Sequence, residues 1–209
     1  MNLIWDLHHL DQRLTLSLNA LGGGAGDWIW PLFSNKEVWF LLYAVLALML
    51  FVRLGWKRAL VVLACVGLTI GACDQFSNLI KDSVARLRPS YDSLMLRGGL
   101  RVLEWRGNNY GFFSAHAANS VGLAVGVVTG FRNDRRLRYR GLAWGMGLWA
   151  LLVSLSRVFV GKHFFGDVLV GIVVGLLIGG LFGWIARRII ARMDGPEQLY
   201  MNEKQPIKY

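Results

Sequence analysis

Three short groups of residues carry types and spacings that could do chemistry. Lys81 and Arg88 are separated by six residues, with Pro89 following. Ser114, Ala115 and His116 run consecutively. Ser156-Arg157 is followed after five residues by His163 and, four positions on, by Asp167. Any helix containing His163 and Asp167 puts both on one face, where the carboxylate can orient the imidazole and stabilise its charge. That is the minimal equipment of a nucleophilic or acid–base histidine. Lys81, Arg88 and Arg157 supply three positive charges for a dianion, and a helix opening at Ser114 adds free backbone N–H groups and its dipole. Phosphate fits this surround better than carboxylate, because several cations must enclose a tetrahedral group.

Taken singly, each residue has a plainer explanation. Lys81 and Arg88 read as loop or snorkelling cations, Ser114 as a helix N-cap, His116 as an interior histidine, and Arg157 with Asp167 as an ion pair. Together at one membrane level they ask for a reason, since each ionisable group in or beside a span costs about 2.5–3.5 kcal/mol.

The elements that must position these groups are membrane helices. The chain is 55% hydrophobic and 17% charged, with its apolar residues in long runs, so an all-α polytopic membrane bundle is expected, as a single domain over residues 1–209. Leu3, Leu7, Leu10, Leu14, Leu18 and Leu21 recur at threes and fours, the pattern of an amphipathic helix lying in the interface. Gly22 to Gly24 and Gly26 break it, and Trp28, Trp30 and Pro31 suggest a second interfacial segment, so that 1–35 is interfacial. Five spans are expected within 37–188, at 37–52, 59–80 (with one acid, Asp74, inside), 113–131, 141–157 and 164–186. Between them, loop 81–112 forms a cap with little regular structure, its Tyr91, Trp105, Tyr110, Arg97, Arg101 and Arg106 placed to meet a head group. Residues 189–209 read as a polar tail. Residues 1–20 contain no clean apolar core of the signal-peptide kind.

The net charge of +10 lies in loops between apolar runs, which fits membrane topology and lipid or phosphate contacts rather than nucleic acid. Thirteen of the 23 Lys and Arg residues, among them Arg53, Arg58, Arg135, Arg188, Lys204 and Lys208, fall on one side, which places the C-terminus in the cytoplasm and the three chemical groups outside. Cys65 and Cys73 share one predicted helix about 12 Å apart along its axis, too far to pair. Small residues repeat every fourth position along Ser114, Ala118, Gly122, Gly126, Gly130 and along Asp167, Gly171, Gly175, Gly179, Gly183. If these two ridges pack together, the polar residues at their heads meet at the outer face.

Lys-x6-Arg-Pro, a Ser-x-His element, and Ser-Arg-x5-His-x3-Asp together resemble the three-part signature of the type 2 phosphatidic acid phosphatase family, which also includes vanadium haloperoxidases and bacterial lipid phosphatases. The first and third parts match in full; in the second, Phe113 and Ala115 stand where the family has proline and glycine. The resemblance implies that His163 attacks phosphorus to form a phosphohistidine, that Asp167 holds its ring, and that His116 protonates the leaving oxygen and then activates water. Lys81, Arg88, Arg157 and Ser114 would bind the phosphate. It further implies no metal and no other cofactor, and a lipid-linked phosphate or diphosphate as substrate, of the undecaprenyl diphosphate or lipid A type, at the outer face of a bacterial-type plasma membrane. Transfer of the phosphate to another lipid would use the same intermediate. A transporter or non-catalytic scaffold would not need His116, His163 and Asp167 all intact, and five spans without a large soluble bundle argue against a haloperoxidase.

Overall fold

The computed structural model describes residues 3–134 and 136–203; Arg135, Lys204 and Lys208 of the charge count lie outside the described residues. Its elements are α1 (Leu3–Leu21), α2 (Gly26–Ser34), a 3-10 turn (Lys36–Trp39) continuing into α3 (Phe40–Leu54), α4 (Trp56–Val84), a 3-10 turn (Pro89–Tyr91), α5 (Ser93–Arg97), α6 (Ala115–Phe131), α7 (Arg140–Phe159) and α8 (Phe165–Glu203). No strand occurs among the described residues beyond one isolated bridge, Leu87 with Tyr110.

Four helical stretches are long and apolar enough to cross a membrane: Lys36–Leu54, Trp56–Val84, Arg140–Phe159 and Phe165–Asp194. The fifth expected span, α6, is apolar but only 17 residues long, about 25 Å at 1.5 Å per residue. It lies at the centre, packed by α4, α7 and most closely by α8. Leucines on the outer faces of the bundle, such as Leu48, Leu68 and Leu177, are more than half exposed, as lipid-facing side chains must be. Two boundaries differ from expectation. The helix of α8 runs on past the expected span end at 186 through Glu203, so the stretch read as a polar tail from 189 is helical that far, because backbone hydrogen bonding does not need the apolar side chains that a membrane requires. Loop 81–112 opens with the last turn of α4 and holds α5.

The small-residue ridges do meet, but only in part. Cβ atoms added at Gly171, Gly175 and Gly179 would fall 2.5–2.8 Å from backbone atoms of Ser114, Ala118 and Gly122, so α6 and α8 touch main chain to main chain. Lower down, Gly126 and Gly130 instead admit Val66 and Val62 of α4.

The two ends of the bundle differ in their polar chemistry. At one end Asp134 receives Arg53 at 2.8 Å and the Tyr139 hydroxyl at 2.6 Å, and Arg58 pairs with Asp194 at 2.6 Å. All three motif groups lie at the other end, where α4, α6, α7 and α8 stop or start. There α1 packs on α7 and α8 with its polarity facing inward. Thr15 and Asn19 are buried, while Leu7, Leu10, Leu14 and Leu21 point outward. Those outward leucines suit a bilayer surface.

Candidate active site

Each motif is delivered by a helix end. Ala85, in the left-handed region at φ 49°, ends α4 just after Lys81, so Arg86 and Arg88 lie on an extended segment. That segment is knitted to the approach to α6: Arg88 N–H donates to Asn109 O at 2.8 Å and Gly111 N–H to Arg86 O at 3.0 Å. Ser114 then caps α6, its hydroxyl accepting from Ala117 N–H, and its own N–H donates to the Asp167 carbonyl at 3.0 Å. The turn between α7 and α8 needs Gly161, whose φ of +77° favours glycine and whose Cβ would strike the Arg101 carbonyl. His163 follows on this turn, and Asp167 sits in the first turn of α8.

The first and third motifs, with Ser114, converge. His163 is buried at 3% exposure, its Nδ1 3.5 Å from Asp167 Oδ2 and beside the Gly111 main chain. This is ion-pair distance without hydrogen-bond alignment, and Nδ1 has no hydrogen-bond partner. A side chain at Gly111 would press on Arg88 Cγ at 2.7 Å and approach His163 Nδ1 at 3.5 Å, so glycine is required there by contact. Burial first, then the charges of Arg88, Arg157 and Lys81, hold the His163 imidazole well below its usual pKa, so the ring is neutral and keeps its lone pair. Burial likewise lowers Arg88 and Lys162.

Lys81 is half-buried at the end of α4. Arg157 is buried, donates to the Ser34 hydroxyl, and lies 3.5 Å from Glu104. His116 stands in the first turn of α6, within electrostatic reach of Arg157 and His163, and lines a cavity of about 460 Å³ between the 3-10 turn, α3, α4, α6 and α7.

Several residues at the site were not singled out by motif. Arg86, inside the Lys-x6-Arg spacing, donates to Asp167 Oδ1 at 2.6 Å and to Asp11 Oδ2 at 2.7 Å, and stacks on Phe164 at 4.1 Å. From α1, Asp11 accepts from Gly166 N–H at 2.8 Å and Thr15 from Phe165 N–H at 3.0 Å, so the N-terminus of α8 is capped by another helix. Glu104 faces both Arg157 and Lys162, at 3.5 and 3.9 Å. The four-residue spacing of Asp11, Thr15 and Asn19 was the one local signal for this polar stripe. Of the cap cations, Arg101 is committed to Asp27 and Arg106 lies over the Tyr91 ring.

A family model described as the PAP2 superfamily matches residues 58–191, which contain all three motifs. The lipid A 4'-phosphatase of Bacteroides thetaiotaomicron is 33% identical over 190 residues, covering 90% of this chain and 82% of that protein. The lipid A 4'-phosphatase of Porphyromonas gingivalis is 32% identical over 171 residues, covering 81% and 70%. The transmembrane PAP2 type phosphatidylglycerolphosphate phosphatase of Bacillus subtilis, a solved structure, aligns with a TM-score of 0.70 at 18% identity and 88% of each chain, a likeness of fold. With the family model spanning most of the chain and relatives covering more, the chain belongs to the PAP2 superfamily, as a membrane-spanning phosphatase.

Proposed function

We propose that this phosphatase hydrolyses a lipid-linked phosphate at the outer surface of a bacterial-type inner membrane through a phosphohistidine, without a metal. The observation that carries the reading is His163 itself: a buried, neutral imidazole with a carboxylate on its Nδ1 side and the charges of Arg88, Arg157 and Lys81 around it. The Nε2 lone pair attacks phosphorus and forms a P–N bond while the P–O bond to the lipid breaks. His116 gives its proton to the leaving oxygen, then takes one from the water that attacks the phosphohistidine, releasing orthophosphate. Asp167 stabilises the charge that develops on the His163 ring. Lys81, Arg88, Arg157, the Ser114 hydroxyl and the first amides of α6 hold the phosphoryl oxygens through the five-coordinate state, the work a metal ion does elsewhere.

The substrate is a lipid A type phosphate or undecaprenyl diphosphate, and the similarity to the two lipid A 4'-phosphatases supports the first. The arginines at the far end of the bundle, with the outward leucines of α1, support a cytoplasmic C-terminus and a site at the outer surface. Purified protein in detergent tests the reading with a ³²P-labelled lipid phosphate. Acid-labile, base-stable label should be trapped on the wild type and absent from His163→Ala, and release of orthophosphate should persist in EDTA. Orthophosphate release by His163→Ala at the wild-type rate would overturn it.

A further inference from the structure

Beside the reacting centre, α3 and α4 form an open V. They join at Gly55, and the buried residues of α3 are Leu46, Leu50 and Leu54, the ones nearer that joint. Towards the outer surface the two helices part, and Phe40 at the head of α3 is 59% exposed. The cavity of about 460 Å³ that His116 lines fills this gap. On α4 its wall is Leu63, Gly67, Ile70 and Asp74, spaced four, three and four and so on one face of the helix; Trp149 and Val153 of α7, both buried, close the back. From Asp74 to Leu63 the wall drops about 16 Å, close to one leaflet of a hydrocarbon core about 30 Å thick. Spread over that depth, the cavity has a cross-section of about 30 Å², room for one hydrocarbon chain. Its polarity is graded as a lipid's is: Lys36 and Asp74 stand with His116 at the outer end, and Leu63, Val66 and Leu123 line the deep end.

Gly67 keeps this slot open. It is exposed in the middle of α4, where glycine is disfavoured, and its helical backbone does not require glycine. A Cβ built there meets nothing within 4 Å among the described residues, so no neighbouring helix requires glycine either. A larger side chain at this position would stand in the cavity instead. The cavity also lies where the lipid must go. His116 is proposed to protonate the leaving oxygen, and that oxygen carries the lipid, so the chain departs from the phosphate on the side of His116.

We infer that the cavity between α3 and α4 is the subsite for one hydrocarbon chain of the substrate, and that Gly67 sets the width through which a long chain passes. The inference rests on the lipid phosphatase reading above and adds where the chain lies. A chain that leaves apolar lipid for an apolar cavity gains little affinity from the move. The cavity therefore acts by admitting or refusing: the phosphate reaches His116 and His163 when its chain can lie along Gly67.

The test compares kcat/KM for hexadecyl phosphate and hexyl phosphate, in detergent, for the wild type, Gly67→Leu and Gly147→Leu. Gly67 lies about 10 Å below Asp74 along α4, beyond the reach of a hexyl chain held at the phosphate site. Gly147 is exposed on α7, its Cβ would be equally free, and it does not line this cavity. Gly67→Leu should lose at least tenfold on hexadecyl phosphate and keep its rate on hexyl phosphate, which also shows that the variant folds; Gly147→Leu should match the wild type on both. A hexadecyl-to-hexyl ratio unmoved by Gly67→Leu, an equal loss on both esters, or the same change in Gly147→Leu would overturn the inference. A second measurement is independent of turnover. A non-hydrolysable hexadecyl phosphonate with a diazirine at mid-chain should photolabel the wild type at residues 40–43 and 63–70, and Gly67→Leu far less. Labelling elsewhere alone, or equal labelling of the variant, would overturn the chain subsite. Orthophosphate release from neither ester by the wild type would count against the phosphatase reading, while the photolabel still decides where the chain lies.

Discussion

Arg86 and Asp167 form a 2.6 Å ion pair in which the carboxylate is fully buried. The same guanidinium reaches Asp11 at 2.7 Å, so the acid proposed to serve His163 is tied through one side chain to the N-terminal helix. A buried carboxylate stays ionised only beside compensating charge, and only an ionised Asp167 can stabilise charge on His163.

Arg86→Ala should therefore lower kcat on the order of 100-fold, as losing one preorganised electrostatic partner does, with little change in KM, since Arg86 is not proposed to touch the lipid. Arg86→Lys should recover part of the loss, and guanidinium ion added to the alanine variant should recover more. A rise in KM with kcat intact would assign Arg86 to substrate binding instead. Asp11→Asn should weaken turnover by a smaller factor.

The depressed pKa of His163 sets a pH dependence. The unfolded chain takes up a proton on this ring near pH 6.5, whereas the folded protein does so only at lower pH. Below 6.5 the unfolded state thus binds more protons, and stability falls as the solution is acidified; above 6.5 this contribution is complete. Thermal unfolding of the wild type and of His163→Gln between pH 7.5 and 5 checks it. The wild type should lose stability more steeply below about pH 6.5; parallel curves would place the titrating group elsewhere.

How much of this was legible in sequence depends on range. Lys81, Arg88, Ser114, Arg157, His163 and Asp167 could be collected from spacing because helix ends fix where such residues fall. The apolar runs located the four helices long and apolar enough to cross a membrane, and the shorter α6 between them. Arg86 was hidden in plain view between Lys81 and Arg88, because its partners Asp11 and Asp167 are distant in sequence and no periodicity links them. The leucine repeat of α1 was visible, but Leu7, Leu10, Leu14 and Leu21 mark the outer face while Leu18 packs inward; that Asp11 and Thr15 cap the open amides of α8 depends on two helices meeting. Gly111 looked like any loop glycine until Arg88 and His163 were seen on either side of it.

Glu104 lies 3.5 Å from Arg157, one of the cations proposed to hold the phosphate, and 3.9 Å from Lys162. A phosphoryl group arriving at Arg157 must compete with it. Glu104→Gln keeps the shape and removes the charge, so vanadate, which mimics the five-coordinate phosphoryl group, should inhibit about fivefold more tightly, equivalent to about 1 kcal/mol. Weaker inhibition would mean that Glu104 orients Arg157 for the substrate rather than competing with it.

Asn19 joins α1 to the end of α7 and to the cap loop. Its amide donates to the carbonyls of Arg101, Val158 and Phe159 at 2.9–3.1 Å, and its oxygen accepts from Arg101 N–H at 2.8 Å, all at 1% exposure. Val158 and Phe159 lie in the last turn of α7, where carbonyls lack helical partners. Asn19→Leu strands the Phe159 and Arg101 carbonyls and the Arg101 N–H, at about 1–3 kcal/mol for each buried one left unpaired, while the Val158 carbonyl keeps the Gly161 N–H. Asn19→Asp keeps the acceptor for Arg101 but turns a carboxylate oxygen toward three carbonyls, so it should destabilise at least as much. Both variants should show a lower melting temperature and faster proteolytic cleavage within residues 100–112, while Leu14→Ala, on the outward face of α1, should leave the cleavage rate as in the wild type. Equal cleavage in all of them would show that the loop's other contacts, among them Arg101 with Asp27 and Leu103 N–H with the Val160 carbonyl, hold it without Asn19.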